Sequence, residues 1–240
     1  MNTTPVALPG LAGKTVVVTG ALGGQGIAET LALLASAADV IATDLAPGPS
    51  TELTDAAAPL PGTLTYRQLD VSSESDWAGL AEFATGLGGG VQGLVNNAGI
   101  PFRARLGDIE LADWDRVIGI NLTGPMLGIR TLSPLMPRGS SIVNVGSLAG
   151  LNAHHTVAYT TSKWGLRGLT HVAATELGAR GIRVNIVHPG YVETPMMAAA
   201  PAIMTEAQLA LTPLERTAQP EEVASVVAFL LSDLASYVTG

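Results

Sequence analysis

The sequence predicts an α/β fold of the doubly wound kind, a parallel sheet with helices on both faces, and three observations predict it. Short β-branched runs alternate with longer Ala/Leu-rich helical patterns along the chain. The short runs are apolar nearly throughout, as strands covered on both faces are. A glycine-rich turn joins the first run directly to the first helical pattern. The right-handed crossover rule then favours the doubly wound arrangement.

Taken in order, Thr15 to Thr19 (TVVVT) reads as the first strand and Gly24 to Ala37 as a helix. Val40 to Thr43 and Leu64 to Gln68 give two more strands. Ser73 to Thr85 reads as a helix with Ser73 as its N-cap. Leu94 to Asn96, Ser141 to Val145 and Arg183 to Val187 complete the strands, with helices over roughly 111–135, 157–178 and 220–231. The Pro/Ala-rich piece from Pro47 to Pro61 reads as a surface excursion inside the domain. No repeat and no linker divides the chain, so residues 1–240 are expected to form one Rossmann-type domain.

Composition narrows the functions. With 47% hydrophobic and 13% charged residues, the chain can bury a large core and is not a disordered segment. A net charge of -8 argues against nucleic acid or an anionic membrane as partner. Without cysteine there is no disulfide, thiolate nucleophile or cysteine-held metal, and no His/carboxylate cluster has metal-ligand spacing. Met1 to Gly10 does not read as a signal peptide and no stretch reads as membrane-spanning, so the expected location is the cytoplasm.

The turn Thr19-Gly20-Ala21-Leu22-Gly23-Gly24-Gln25-Gly26 sits between a strand and a helix, where glycines let the backbone approach a pyrophosphate. Asp44 ends the second strand, 24 positions after Gly20, where a carboxylate can accept bonds from an adenosine ribose. It would repel a 2′-phosphate, and no lysine or arginine lies at 21–26 or 45–50 to attract one. NAD is therefore expected rather than NADP. Asp70-Val71 follows the third strand and would meet the adenine; Asn96-Asn97-Ala98-Gly99 follows the fourth, beside the nicotinamide ribose.

These residues resemble the short-chain dehydrogenase/reductase family. TGxxxGxG (Thr19 to Gly26), NNAG (Asn96 to Gly99), Ser147, YxxxK (Tyr159 and Lys163) and Pro189-Gly190 occur in the family's order and span essentially the whole chain. Ser162 to Leu169, with Val187-His188-Pro189-Gly190, looks most like the bacterial hydroxysteroid dehydrogenases. The resemblance implies that a secondary alcohol and a ketone are interconverted with nicotinamide by a homotetramer. It implies Asn121, Ser147, Tyr159 and Lys163 as catalytic residues. The expected cofactor set is Gly20, Leu22, Gly24, Gln25, Gly26, Asp44, Leu45, Asp70, Val71, Asn97, Ala98, Gly99, Tyr159, Lys163, Pro189, Gly190, Val192 and Thr194, the last two near the carboxamide.

Physical chemistry supports these roles. The unperturbed phenol has a pKa of about 10, too high to act as a base near neutrality, and a neighbouring ammonium together with an oxidised nicotinamide would stabilise phenolate and lower it. Tyr159 and Lys163 are four apart on a predicted helix and so share a face. Lys163 is one of only two lysines, with Lys14, so a generic surface role suits it poorly. Ser147 follows the fifth strand and would bond the substrate oxygen; its alternative is a turn serine after Gly146. In the family the Asn121 carbonyl holds a water. Pro125 has no N–H, so the bond from residue 125 to that carbonyl cannot form, and the helix is expected to kink there.

The pocket is less legible. Eleven residues separate Ser147 from Tyr159, one fewer than is usual in the family, so the loop lining the pocket departs from the pattern. His154 and His155 lie in it and read as exposed loop residues, substrate contact being the alternative. His188 reads as structural. The stretch 191–213 resembles a substrate lid, and Met196, Met197 and Met204 suit either an apolar pocket or plain packing. The family usually continues beyond Ser236-Tyr237-Val238-Thr239-Gly240 into a last strand; without it an exposed edge and weaker assembly would follow. The expected substrate is a hydrophobic secondary alcohol, cyclic or steroid-like, with NAD(H). The alternatives are reduction of a 3-oxoacyl carrier-protein thioester and an NAD-binding regulator without catalysis.

Overall fold

The computed structural model describes residues 7–198, 209–210 and 212–240. The chain runs β1 (Thr15–Thr19), α1 (Gly24–Ala35), β2 (Asp39–Asp44), α2 (Thr51–Ala57), β3 (Leu64–Gln68), α3 (Glu74–Gly86) and β4 (Gly93–Asn96). It continues through α4 (Leu111–Ile118), α5 (Gly124–Leu132), β5 (Ser141–Val145), α6 (Val157–Gly178), β6 (Arg183–Val187), α7 (Pro195–Ala198) and α8 (Pro220–Leu231). Among the described residues the strands form one six-stranded sheet in the order β3-β2-β1-β4-β5-β6. All its pairings are parallel. The order reverses between β1 and β4, which opens a crevice at their C-terminal ends.

Strand alternation sorts the apolar side chains into two layers. Val16, Val18, Val40, Ala42 and Val143 face one way, onto Leu33 and Leu34 of α1 and Val223 and Val227 of α8. Val17, Ile41, Leu94, Ile142 and Val184 face the other, onto Trp77, Leu80, Leu127, Ala173 and Leu177. Inside the second layer a polar chain crosses three elements. Asn96 donates to Asn144 Oδ1 (2.8 Å) and Asn144 donates to Thr170 Oγ1 (2.8 Å), so each buried amide is answered.

Three expectations change. The stretch Pro47 to Pro61 contains α2, capped by Ser50, whose hydroxyl accepts from the Leu53 N–H (3.2 Å). The run expected as a single helix over 111–135 is divided: a wider π turn, Gly119–Thr123, separates α4 from α5. There the Gly124 N–H reaches back five residues to the Gly119 carbonyl, immediately before Pro125. The helix begun at Gly24 ends at Ala35, and Ala37 takes the left-handed conformation (φ 59°) that favours glycine. By contrast, Ser73 caps α3 as expected, its hydroxyl accepting from the Asp76 N–H.

The tail runs beside β6. The Gly240 N–H donates to the Val184 carbonyl (2.9 Å) and Asn185 Nδ2 donates to the Val238 carbonyl (2.9 Å). No helix among the described residues is long and apolar enough to cross a membrane.

One buried group is out of keeping with these layers. Glu29 of α1 is 1% exposed and neither carboxyl oxygen has a hydrogen-bond partner. Burial pushes its pKa up to about 8. The folded chain therefore holds a proton that the unfolded chain releases above about 4.3, and stability falls as pH rises across that window. The thermal midpoint should drop between about pH 5 and pH 8 and drop less in Glu29→Gln. Parallel pH profiles for the two proteins would show that Glu29 is not neutral in the folded state.

Candidate active site

Local geometry explains the glycine turn. Gly20 has φ +65°, and a Cβ there would stand 2.8 Å from Ala98 Cα. A Cβ on Gly26 would collide with the Gly20 carbonyl oxygen. Thr19 and Asn97 lock this approach. Thr19 Oγ1 accepts from the N–H groups of Asn97 (3.1 Å) and Ala98 (3.0 Å). The Asn97 amide donates to the carbonyls of Thr19 and Gly20, both at 3.0 Å. The Asn97 side chain thus fastens the turn.

A groove of about 540 Å³ opens at this point. Gly20, Leu22, Gly24, Gln25, Gly26, Asp44, Leu45, Asp70, Val71, Asn97, Ala98, Gly99, Tyr159, Lys163 and Thr194 all line it. The residues present fit a dinucleotide. Gly23 caps α1 with no side-chain bond, so the first-turn N–H groups have no competing cap for an anion. Asp44 is held across the turn, accepting from the Leu22 N–H (3.0 Å) and its neighbour Leu45 N–H (2.8 Å). Asp70 Oδ1 accepts from the Ser72 N–H (2.8 Å) and hydroxyl (2.6 Å), and Trp77 Nε1 donates to the Val71 carbonyl (2.8 Å). The wall expected beside the adenine is thereby fixed.

The catalytic candidates come from three places: Tyr159 and Lys163 from α6, Ser147 from the loop after β5 and Asn121 from the π turn. Lys163 is 5% exposed, and its Nζ donates to the Val145 carbonyl (2.8 Å) and lies 5.7 Å from the Tyr159 ring centroid. Burial lowers its pKa to about 8. Burial raises the Tyr159 phenol above its ordinary value, and a hydrogen bond with Ser147 opposes the rise. In the protein alone desolvation therefore outweighs the Ser147 bond, and the lowering expected from sequence belongs to the state in which an oxidised nicotinamide is bound beside Lys163. Ser147 Oγ accepts from the Ala149 N–H (3.1 Å), which leaves its own proton to donate.

Asn121 lines neither the groove nor the cavity described next. Its buried amide instead pairs with both backbone groups of Ile100, at 2.9 and 3.0 Å, and donates to Ser162 Oγ (3.2 Å). Its place in the π turn, four residues before Pro125, is where the regular bond pattern fails.

A second cavity of about 200 Å³ adjoins the groove. Ser147, Tyr159, Pro189, Gly190, Val192 and Thr194 line it, together with Gln25, Phe102, Arg103, His154, Tyr191 and Met197. Pro189, Gly190 and Val192, expected in the cofactor set, face this cavity and not the groove. His154, read first as an exposed loop residue, is half-buried in its wall, whereas His155 is exposed. Of the expected lid, 199–208 and 211 lie outside the described residues, Met204 among them. Met197 does line the cavity.

Sequence reasoning missed three contributors. Trp77 holds the Val71 carbonyl behind the groove, and Phe102 and Tyr191 line the cavity from separate loops; Tyr191 follows Pro189-Gly190 directly, the one signal that could have marked it. His188 was read as structural, and its function is specific. Its Nδ1 donates to the Ser147 carbonyl (2.8 Å), while the Leu148 N–H bonds the Pro189 carbonyl (2.9 Å). The two loops are thus laced together behind the Ser147 hydroxyl. His188→Ala should lower kcat by about tenfold, the order expected when a catalytic group loses its positioning, and leave cofactor affinity unchanged. Steady-state kinetics with cofactor titration checks this; equal loss in both would mean a general structural defect.

Comparisons agree with this geometry. Residues 20–240 match the family model described as enoyl-(acyl carrier protein) reductase. The chain is 40% identical over 235 residues to 3-alpha-(or 20-beta)-hydroxysteroid dehydrogenase of Mycobacterium tuberculosis, covering 96% of this chain and 86% of that protein. It is also 40% identical to 3-oxoacyl-(acyl-carrier-protein) reductase of Thermotoga maritima, covering 96% and 95%. A solved short-chain dehydrogenase/reductase of Brucella melitensis, described as glucose/ribitol dehydrogenase, superposes with a TM-score of 0.86 at 35% identity, covering 95% and 93%. That family binds NAD(P). With its parallel sheet, its glycine turn and its Ser147–Tyr159–Lys163 cluster, the chain belongs to the short-chain dehydrogenase/reductase family of oxidoreductases.

Proposed function

We propose that this chain interconverts a hydrophobic, cyclic secondary alcohol and its ketone with NAD(H). One observation carries the reading: Tyr159 lines both the groove and the cavity, with Lys163 beside it in the groove and Ser147 beside it in the cavity. A proton donor shared by the two spaces is what a coupled hydride and proton transfer needs.

Ser147 holds the substrate oxygen by turning its hydroxyl proton toward it. Tyr159 gives a proton to that oxygen in reduction and takes it in oxidation. At neutral pH the phenol is protonated and ready to donate, because burial raises its pKa. Lys163, with a pKa of about 8, is largely an ammonium there and stabilises the phenolate left after donation. Nicotinamide, when bound, supplies or accepts the hydride. Asn121 braces Ile100 against α6, one residue before Lys163.

Support for NAD comes from Asp44, whose carboxylate is held at the groove's ribose end with no cation in the turn beside it. Support for a cyclic alcohol comes from the hydroxysteroid dehydrogenase relative and from the apolar walls of Phe102, Leu148, Tyr191 and Met197. The stretch 191–213 serves as a lid in this reading. A homotetramer would cover Trp164 and Val172 on α6 and Val226 and Phe229 on α8, all exposed in the single chain. A second reading, reduction of a 3-oxoacyl thioester on a carrier protein, is favoured by the equally similar Thermotoga maritima relative. The net charge of -8 disfavours docking of an acidic partner.

NADH absorbance with a panel of cyclic ketones and alcohols tests the proposal. Tyr159→Phe should cut turnover by at least about a hundredfold, the range of general acid–base catalysis, with NADH binding retained. Unaltered turnover would remove the phenol from the mechanism. Asp44→Ala should raise the kcat/KM ratio of NADPH to NADH by about tenfold or more, the worth of one charge contact. An unchanged ratio would mean that cofactor choice is made elsewhere.

A further inference from the structure

Among the described residues four buried side-chain oxygens have no hydrogen-bond partner, and all four belong to α1: Gln25 Oε1, both carboxyl oxygens of Glu29 and Thr30 Oγ1. Glu29 and Thr30 are 1% and 0% exposed. Gln25 and Glu29 stand four apart in the helix, so their side chains share a face, one turn above the other. Thr30 is five from Gln25 and lies off that face. Gln25, with Gly146, Tyr159 and Thr194, lines both the groove and the cavity, where ring and substrate would meet.

An ionised Glu29 could only accept hydrogen bonds, and nothing donates to it. The neutral acid is itself a donor, and one turn away Gln25 Oε1 is an acceptor without one. Burial keeps the acid mostly neutral at pH 7, its pKa being pushed up to about 8. Charges on neighbouring elements do not set that state. α1 packs chiefly against β1, β2, α2 and α8. β1 carries no charged side chain, β2 carries Asp39 and Asp44, α2 carries Glu52 and Asp55, and α8 carries Glu221 and Glu222. The four on the helices are exposed, Asp44 is bonded at the groove's ribose end, and Asp39 sits at the opposite end of β2. Burial alone raises Glu29.

We infer that neutral Glu29 is a positioning residue: its carboxyl proton bonds Gln25 Oε1 and so turns the Gln25 NH2 toward the carboxamide oxygen of a bound nicotinamide. An amide held at its oxygen has its N–H groups left to offer. Thr194, the residue expected near that carboxamide, packs beside the same turn of α1, since a Cβ on Gly24 would stand 3.1 Å from Thr194 Cγ2. Ionised Glu29 reverses the arrangement, because a carboxylate accepts from the Gln25 NH2 and turns the amide oxygen outward. Two acceptor oxygens then face each other, and the ring end of the cofactor loses a bond. The inference rests on the nicotinamide part of the proposed reading and not on its alcohol or ketone, because no substrate takes part.

The test measures cofactor binding to the full chain, without substrate, between about pH 6 and about pH 9. NADH is titrated by its fluorescence, and ADP-ribose, which lacks the ring, by calorimetry. Glu29→Gln keeps a donor at every pH, so its NADH Kd should follow only the titration of Lys163, whose pKa is also about 8. In the wild type the NADH Kd should rise about fivefold more than that over the same range, the worth of one neutral hydrogen bond. Glu29→Leu, which has no donor, should bind NADH about fivefold more weakly than Glu29→Gln at neutral pH. ADP-ribose should bind the wild type and both variants alike at each pH. Identical NADH profiles for the wild type and Glu29→Gln, or equal NADH affinity of the two variants at neutral pH, would overturn the inference. A loss of ADP-ribose affinity that depends on Glu29 would overturn it too, because the charge would then act on the pyrophosphate. If NADPH binds more tightly than NADH, the choice of NAD fails, and the same series run with NADPH decides the role of Glu29 separately.

Discussion

A buried ammonium organises the catalytic end of this molecule. Taking a charge out of water costs several kcal/mol or more unless the protein answers it, and the Lys163 Nζ is answered by the Val145 carbonyl. That bond fastens α6 to the last residue of β5. Ser147 lies two residues beyond Val145, and Tyr159 lies one helical turn before Lys163, so the same contact sets the serine and the phenol on a common space. Asn121 extends the brace by joining Ile100 to Ser162, and His188 extends it by holding the Ser147 carbonyl. The cluster is a network of backbone carbonyls and N–H groups with three reactive side chains, Ser147, Tyr159 and Lys163, hung upon it.

The two spaces that meet at Tyr159 are built differently. The groove is shaped by backbone approach: Gly20 against Ala98, Gly26 against Gly20, and Thr19 and Asn97 bonding whatever main chain is left. Few side chains could change there without closing the turn. Beside Tyr159 of α6, the cavity is walled by the segments bearing Phe102 and Arg103, Leu148 and His154, and Tyr191 and Met197. Its side chains can vary without disturbing the sheet, which is how one scaffold serves many substrates. Cofactor use and catalysis therefore belong to the family, whereas substrate choice belongs to this chain's loops.

Legibility followed the range of the interactions. The helices over 157–178 and 220–231 were readable because their repeat is local, and the strand Thr15 to Thr19 because an unbroken β-branched run is buried along nearly its whole length. The short helix α2 was hidden because proline and alanine mask a seven-residue element that begins at a serine cap. The division of 111–135 was signalled by Pro125, which announced a fault in the bond pattern, but not that the fault would be a wider turn ahead of it. Pro189, Gly190 and Val192 were placed at the crevice, where they line the cavity beside the groove, since strand order places a loop end without fixing which way its residues face.

From its sequence alone this chain determined the strand–turn–helix at Gly20, the carboxylate at Asp44 and the Tyr159–Lys163 pair, because each depends on residues close along the chain. Tertiary structure alone decided the rest. It buried Lys163 and Tyr159 enough for desolvation to move both pKa values, left Glu29 in the interior without a partner, and gathered Arg103, His154 and Tyr191 around one cavity from segments far apart. Burial and convergence are sums over many non-local contacts, and no stretch of sequence carries such a sum.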